Sequence, residues 1–342
     1  TSNRELPETH KKLGLSIKQS NLCSEITLPT DADRTAVCCL SSVNLAKYDE
    51  WSTSSTFIPD MVRMLDNVLE HFIQATYDFS YDYKGEVLDM KVKEGMEGFT
   101  KAGYSAYRER SLGLGAMGFH TYLQKLNVPF EGPIATGQNL KMFKQIKELA
   151  NKTSMELAEE RGEAPDMEGT GMRNAHLLAV APNATSSIIC GGTSPSIEPI
   201  RANVFIHKTL NGSFQVRNRQ LHNLLKQKWN NSEELQKEYD SDYQHFKDKI
   251  WQSISENTGS VKHLDFLTDL EKDVFKTADE IDQNWVIEHA SKRQEFICQA
   301  QSVNLFFVAP RVQAKQEEHD NFLRYTNKVH YQAWKKGLKS LY

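Results

Sequence analysis

The chain is 342 residues long, with 41 Lys and Arg against 45 Asp and Glu and a formal charge of -4. That near balance argues against a generic nucleic-acid or membrane surface, so neither DNA nor RNA is an expected partner. With 39% hydrophobic and 25% charged residues, the composition is that of an ordinary globular protein, long enough to bury a sizeable core.

No run of about 18 uncharged apolar residues occurs, so no membrane span is expected. The N-terminus lacks the charged and apolar regions of a secretory signal. The cysteines, at 23, 38, 39, 190 and 298, are odd in number and show no repeated spacing. A reducing, cytoplasmic setting is expected, and without a CxxC or a Cys/His cluster no metal site is predicted. The chain starts at Thr1 rather than Met, which fits either a processed start or an excerpt of a longer protein.

Residues 1–55 read as loop-rich, with apolar patches at 21–26 and 36–45 separated by a polar turn. Ile58, Met61, Val62, Leu65, Val68, Leu69, Phe72 and Ile73 recur at helical spacing. A second amphipathic helix uses Leu140, Phe143, Ile146, Leu149, Ala150 and Leu157 and stops at Gly162. Between them lies the Gly-rich segment 110–118. Residues 176–181 read as a short buried strand running into a polar loop, 182–187. Residues 188–190, 203–209 and 213–216 read as further strands, the last two joined by a Leu210-Asn211-Gly212 turn. Residues 232–255 and 269–299 are charged and helical, 301–308 an apolar strand, and 317–341 a final helix. Alternating strands and helices predict an α/β architecture with an irregular, largely helical second part.

Several stretches carry chemistry. In Ser20-Asn21-Leu22-Cys23-Ser24-Glu25-Ile26, an amide, a thiol and a carboxylate occupy alternate positions, which in an extended stretch project to one side. Such a trio can hold a hydroxyl, perform sulfur chemistry beside it and take its proton. The spacing fits equally a buried Cys between two solvated polar residues. Ala181-Pro182-Asn183-Ala184-Thr185-Ser186-Ser187 opens a strand into a hydroxyl-rich loop that can cradle a phosphate or serve simply as a helix cap. Gly113-Leu114-Gly115-Ala116-Met117-Gly118 satisfies GxGxxG, but no hydrophobic strand precedes it and Glu131 lies in a Pro/Gly loop, so no nicotinamide site is expected. His289 and His319 read as solvated, and Cys190 and Cys298 as structural.

The SNLCSEI stretch resembles the finger-loop motif of ribonucleotide reductase large subunits. Further segments similar to that family follow in its order: AVCCLSSVNL at 36–45, RSLGLGAMGF at 110–119, the 181–187 loop, GGTSPSIEP at 191–199 and AWKKGLKSLY at 333–342. The resemblance implies that Cys23 carries a transient thiyl radical, that Glu25 is the general base for the ribose 3′-hydroxyl, and that Asn21 orients the hydroxyls. It makes Cys38 one half of a redox disulfide whose partner lies upstream, with the adjacent Cys39 a departure. Pro182, Asn183, Ala184, Thr185 and Ser186 correspond to the loop that holds the substrate diphosphate, Asn183 and Ala184 at its variable positions. The glycines of 113–118 would permit close packing, and Tyr342 would be the first of two relay tyrosines, next to Cys23.

The fold implied is α/β: the C-terminal half of a ten-stranded barrel with its finger loop, plus a smaller mixed α/β C-terminal subdomain. Residues 1–230 would form the barrel half and 231–342 a helical and mixed part returning to it. The reaction implied is reduction of ribonucleoside diphosphates to 2′-deoxyribonucleotides, with no cofactor in this chain. A metal-containing small (beta) subunit would supply the radical, and an external thiol reductant of thioredoxin or glutaredoxin type the electrons. An N-terminal portion of the large subunit would be a further partner. The alternatives are an adenosylcobalamin-dependent or anaerobic radical reductase (class II or III), and a non-catalytic remnant that only binds partners.

Overall fold

The computed structural model describes residues 2–82, 87–210 and 212–342. After a short N-terminal helix, α1 (Glu8–Lys12), the chain runs without regular structure to strand β1 (Cys39–Asn44). Helices α2 (Tyr48–Trp51) and α3 (Phe57–Thr76) lead into a hairpin of β2 (Tyr77–Tyr81) and β3 (Val87–Val92). Helix α4 (Thr100–Glu109), strand β4 (Leu112–Met117), and helices α5 (Phe119–Lys125), α6 (Pro133–Arg161) and α7 (Ala184–Ile189) follow. A second hairpin, β5 (Val204–Thr209) with β6 (Gly212–Arg217), precedes α8 (Arg219–Asn231), α9 (Glu233–Glu238), α10 (Tyr243–Glu256), α11 (Asp269–Val274), α12 (Gln283–Gln294) and α13 (Gln316–Lys335).

The centre is a parallel seam. β1 pairs with β4 from Cys39 opposite Leu112 to Asn44 opposite Met117. Residues 176–181 lie along β4's other edge: Leu112 and Leu114 donate to the His176 and Leu177 carbonyls, both at 2.8 Å. Val180 in turn donates to Ala300 at 3.1 Å and accepts from Ser302 at 2.8 Å. Every residue of β4 is buried, as expected of a strand covered on both faces. Its glycines follow from that crowding. A Cβ on Gly115 would stand 2.5 Å from the Ala179 carbonyl oxygen, and one on Gly113 would meet Leu40 and stand 2.9 Å from Cys38 Sγ. The close-packing role inferred for them is therefore correct. The sheet is open: among the described residues, β1 pairs on one side only and no barrel closes.

Helices cover the seam because their apolar positions fall on one face. In α3 the buried residues include Ile58, Val62, Leu65, Leu69 and Ile73, a 3.6-residue period. α6 begins with Pro133 and ends at Gly162, which takes φ +84°, so its stop was legible. These helices join β1, β4, α12 and α13 in one large core, while residues 204–275 form a second. No helix among the described residues is long and apolar enough to cross a membrane.

Several sequence expectations are corrected. Residues 188–190 are not a strand. Asn183 takes φ +54° and reverses the chain, so helical bonding starts with Ser187 N–H to the Asn183 carbonyl at 3.0 Å. The Ile188-Ile189 pair only mimicked a strand, and Ile189 is exposed. In 301–308 only Gln301 makes a β-bridge, to Val180; beyond it, side chains take over the backbone, as where Gln283 Oε1 accepts from Phe306 N–H at 2.9 Å. The helix expected at 232–255 is broken at Asp240 and Ser241, both at positive φ, and that at 269–299 divides into α11 and α12. The last helix stops at Lys335, and Gly337 at φ +79° turns the chain back. The strands at 204–209 and 212–217 are present; Asn211 of the expected turn lies outside the described residues. His289 is buried rather than solvated, its Nε2 2.8 Å from the Phe130 carbonyl. Cys190 is exposed, which removes a structural role in the core.

Candidate active site

Residues 21–24 form a turn, not the extended stretch expected. Ser24 N–H donates to the Asn21 carbonyl at 3.1 Å, and Ser24 takes φ +64°. A serine there costs about 1–2 kcal/mol, so the turn needs outside support. Asn21 Oδ1 accepts from Ile26 N–H at 3.0 Å, while its Nδ2 donates to no other described side chain or carbonyl. That leaves an exposed amide donor beside a half-buried thiol, Cys23. Glu25 is buried, and its Oε2 accepts from the Ser302 hydroxyl at 3.1 Å.

Support comes from two distant segments. Ser302 Oγ also lies within hydrogen-bond reach of the Cys23 carbonyl, and Ala300 N–H donates to the Glu25 carbonyl at 2.9 Å. Ser340 Oγ lies 2.9 Å from the Ser24 carbonyl and 3.1 Å from that of Gln301, tying turn and brace to the C-terminal segment. Lys339, its side chain almost fully buried, donates to the Cys298 carbonyl at 2.6 Å. Tyr342 N–H donates to the Val303 carbonyl at 3.0 Å. Its phenol neighbours the Cys23 side chain, which raises the phenol above its ordinary pKa, with Glu25 and Glu198 adding to the effect.

Cys38 lies on the same side of the seam. Gln299 Nε2 donates to its sulfur at 3.3 Å, while Gln299 Oε1 accepts from Thr27 N–H at 3.2 Å. Burial pushes the Cys38 thiol well up, against the lowering effect of the Gln299 bond, and the Glu25 charge pushes the same way. Burial also raises Cys39. Both thiols therefore rest protonated at neutral pH. Cys23, Glu25, Cys38 and Tyr342 thus each bond to the 299–303 brace, with Asn21 on the turn beside them.

The 182–186 loop lies beyond the carboxyl ends of β1 and β4, where parallel sheets characteristically receive ligands. Asn183 Nδ2 donates to Ser42 Oγ at 2.9 Å and to the Ala181 carbonyl at 3.0 Å, and Asn44 Nδ2 reaches the Cys190 carbonyl at 3.1 Å. Ala184, Thr185 and Ser186 are exposed, and their amides precede the first helical bond. No hydrogen bond among the described residues links this loop to the Cys23 turn. No group of three or more His, Cys, Asp or Glu among them could hold a metal ion.

Sequence reading missed the supporting residues Gln299, Ser302, Ser340, Glu198 and Asn304. The available signal was Gln299 and Gln301, polar side chains alternating in an apolar run; both are fully buried.

Comparison with known proteins gives the family. The family model described as "Ribonucleotide reductase, barrel domain" matches residues 1–171 and 165–342. The chain is 44% identical over 342 residues to the ribonucleoside-diphosphate reductase large subunit of Invertebrate iridescent virus 3, covering 100% of this chain and 48% of that protein. It is 43% identical over 322 residues to that of Invertebrate iridescent virus 6, covering 94% of this chain and 29% of that protein. The chain therefore spans about half or less of the length of these relatives. Among solved structures, the class Id ribonucleotide reductase alpha subunit of Actinobacillus ureae aligns with a TM-score of 0.80 at 35% identity, over 100% of this chain and 55% of that one.

Proposed function

This chain belongs to the ribonucleotide reductase barrel-domain family, and from that premise we propose that it is the catalytic part of a ribonucleoside-diphosphate reductase large subunit. The observation that carries this reading is that residues 302–303 hold both the Cys23 turn, through Ser302 Oγ, and Tyr342, through the Val303 carbonyl, beside the buried Glu25. A phenol next to a thiol can exchange a hydrogen atom between oxygen and sulfur.

In this reading the open sheet is the second half of a ten-stranded barrel, and an N-terminal portion of the large subunit supplies the rest. A metal-containing small subunit delivers the radical to Tyr342. The Tyr342 phenoxyl takes a hydrogen atom from Cys23, leaving a phenol and a thiyl radical, which removes the 3′-hydrogen of the ribose. Asn21 Nδ2 orients the sugar, and Glu25 takes the 3′-hydroxyl proton while a proton from one thiol of the Cys38 pair leaves with the 2′-hydroxyl as water. Cys38 and an upstream thiol supply the two electrons and the hydrogen that goes to C2′ and become a disulfide, which an external thioredoxin- or glutaredoxin-type dithiol reduces again; Glu25 returns the proton to the 3′-oxygen and Cys23 the hydrogen to C3′, restoring the thiyl radical. Pro182, Asn183, Ala184, Thr185 and Ser186 hold the diphosphate. Protonated resting thiols suit hydrogen donation, and a closed barrel shields the radical from solvent. A reducing cytoplasm fits the reductant.

The test is reconstitution of the full large subunit with its small subunit and a ribonucleoside diphosphate. Deoxynucleotide should form, and Cys23→Ser should reduce turnover to background while nucleotide binding persists. Substantial residual reduction by that variant overturns the reading.

A further inference from the structure

A second buried carboxyl bears on the same phenol and has no part in the chemistry above. Glu198 is 5% exposed, and its Oε1 accepts from Asn304 Nδ2. Asn304 follows directly on Ser302, whose hydroxyl lies between the Cys23 carbonyl and Glu25 Oε2, and Val303, which accepts from Tyr342 N–H. Arg201 lies over the Phe306 ring at 5.2 Å, so the loop carrying Glu198 grips residues 304–306 at two points. Glu198 N–H bonds the Pro195 carbonyl at 3.1 Å across Ser196, which takes φ +46°. A turn thus immediately precedes Glu198 where it meets the brace.

The groups acting on the Tyr342 phenol are Cys23 and Glu25 from the turn and Glu198 from the opposite loop. Glu198 itself is raised to about 7 by burial, against the lowering effects of the Asn304 bond and the Arg201 charge. Its charge thus changes within the neutral range.

We propose that Glu198 is a positioning residue for the Cys23–Tyr342 pair: through Asn304 it fixes the segment from which both partners hang, and its charge sets how tightly the phenol holds its proton. This rests on reading that pair as a radical relay. Above neutral pH the carboxylate strengthens the phenol's hold on its proton; below it, the neutral acid does not.

Glu198→Gln keeps an oxygen that can accept from Asn304 but cannot ionise, whereas Asn304→Ala cuts the brace. With Tyr342 replaced by 3-nitrotyrosine in the full large subunit, absorbance reports the phenol titration directly. Glu198→Gln should move that titration down by about half a unit, the scale of one nearby charge across a partly screened gap. In the reconstituted holoenzyme, with native Tyr342, it should flatten the turnover profile near neutrality. Asn304→Ala should lower kcat about tenfold or more, with KM for the diphosphate unchanged. Glu198→Asp, which keeps the charge and shortens the reach, should retain the titration and lose turnover. A nitrophenol titration unaffected by Glu198→Gln overturns the proposal, and so does parental turnover in Asn304→Ala. A parental holoenzyme that forms no deoxynucleotide, with the titration still shifted, sinks the proposed function instead.

Discussion

The two hydrophobic cores are built by opposite strategies. In the second core, residues 204–275, every helix starts with a side-chain cap: Asn218, Ser232, Asp242 and Thr268 each accept from an amide of the first turn. Trp229, Phe246 and Trp251 fill it, with Tyr239 and Tyr243 packed alongside. In the main core, helices α2 to α6 have no side-chain cap, although α12 is capped by Asp282. There the backbone is satisfied from afar: Gln301 Nε2 reaches the Ala290 carbonyl at 2.9 Å, Gln299 Nε2 that of Leu112 at 2.9 Å, and Cys298 Sγ accepts from Leu177 N–H at 3.1 Å. The second core is specified locally and the main core by contacts between residues far apart in sequence. The proposed chemistry lies with the second kind, where one residue can be fixed from several directions.

That contrast can be tested by perturbing each core. Trp251 is fully buried, and Trp251→Ala should cost about 3–5 kcal/mol. Hydrogen exchange should show the loss confined to amides of 204–275, with β4 still protected; equal loss in both cores would mean that they unfold as one unit. Gly115→Ala drives a methyl group against the Ala179 carbonyl and should cost about 1–3 kcal/mol, read as a lower denaturant midpoint with earlier exchange along β4. Acid should separate the cores more gently. Burial lowers His10 and His289 from 6.5 to about 4, and His120 to about 3. Between those values and 6.5 the unfolded chain binds more protons, so stability falls as pH drops through that window. His10→Phe removes a buried imidazole with both nitrogens unpartnered. It should recover about 1–2 kcal/mol of the loss at pH 5, measured as a shallower acid limb in stability against pH.

Legibility from sequence follows the same division. The helical content of 232–255 and 269–299 was readable because capping and apolar periodicity act within a few residues. The helix α3 and the end of α6 at Gly162 were readable for that reason too. The turn at Cys23 was not, because Ser24 takes a left-handed conformation only under the grip of Ser340 and Ser302. Nor was the helix at 184–189, which depends on Asn183 being held by Ser42. The identities of Cys23, Glu25 and Cys38 stood out through family resemblance, whereas Gln299, Ser302 and Glu198 act on them through the fold and left little local trace.

The bond from Ser340 to Ser24 joins residues 316 positions apart. On the ribosome, the loop carrying Cys23 emerges early and waits through nearly all of this segment's synthesis for the residues that secure it. In the proposed function, the Cys23 thiol is then not aligned with the Tyr342 phenol until the rest of the segment exists. The same tie acts in the finished molecule: if the 338–342 stretch detaches, the turn loses its support at the moment the phenol leaves the sulfur. In that reading, damage there disables the centre as a whole, with no half-assembled site left to misdirect an oxidising equivalent.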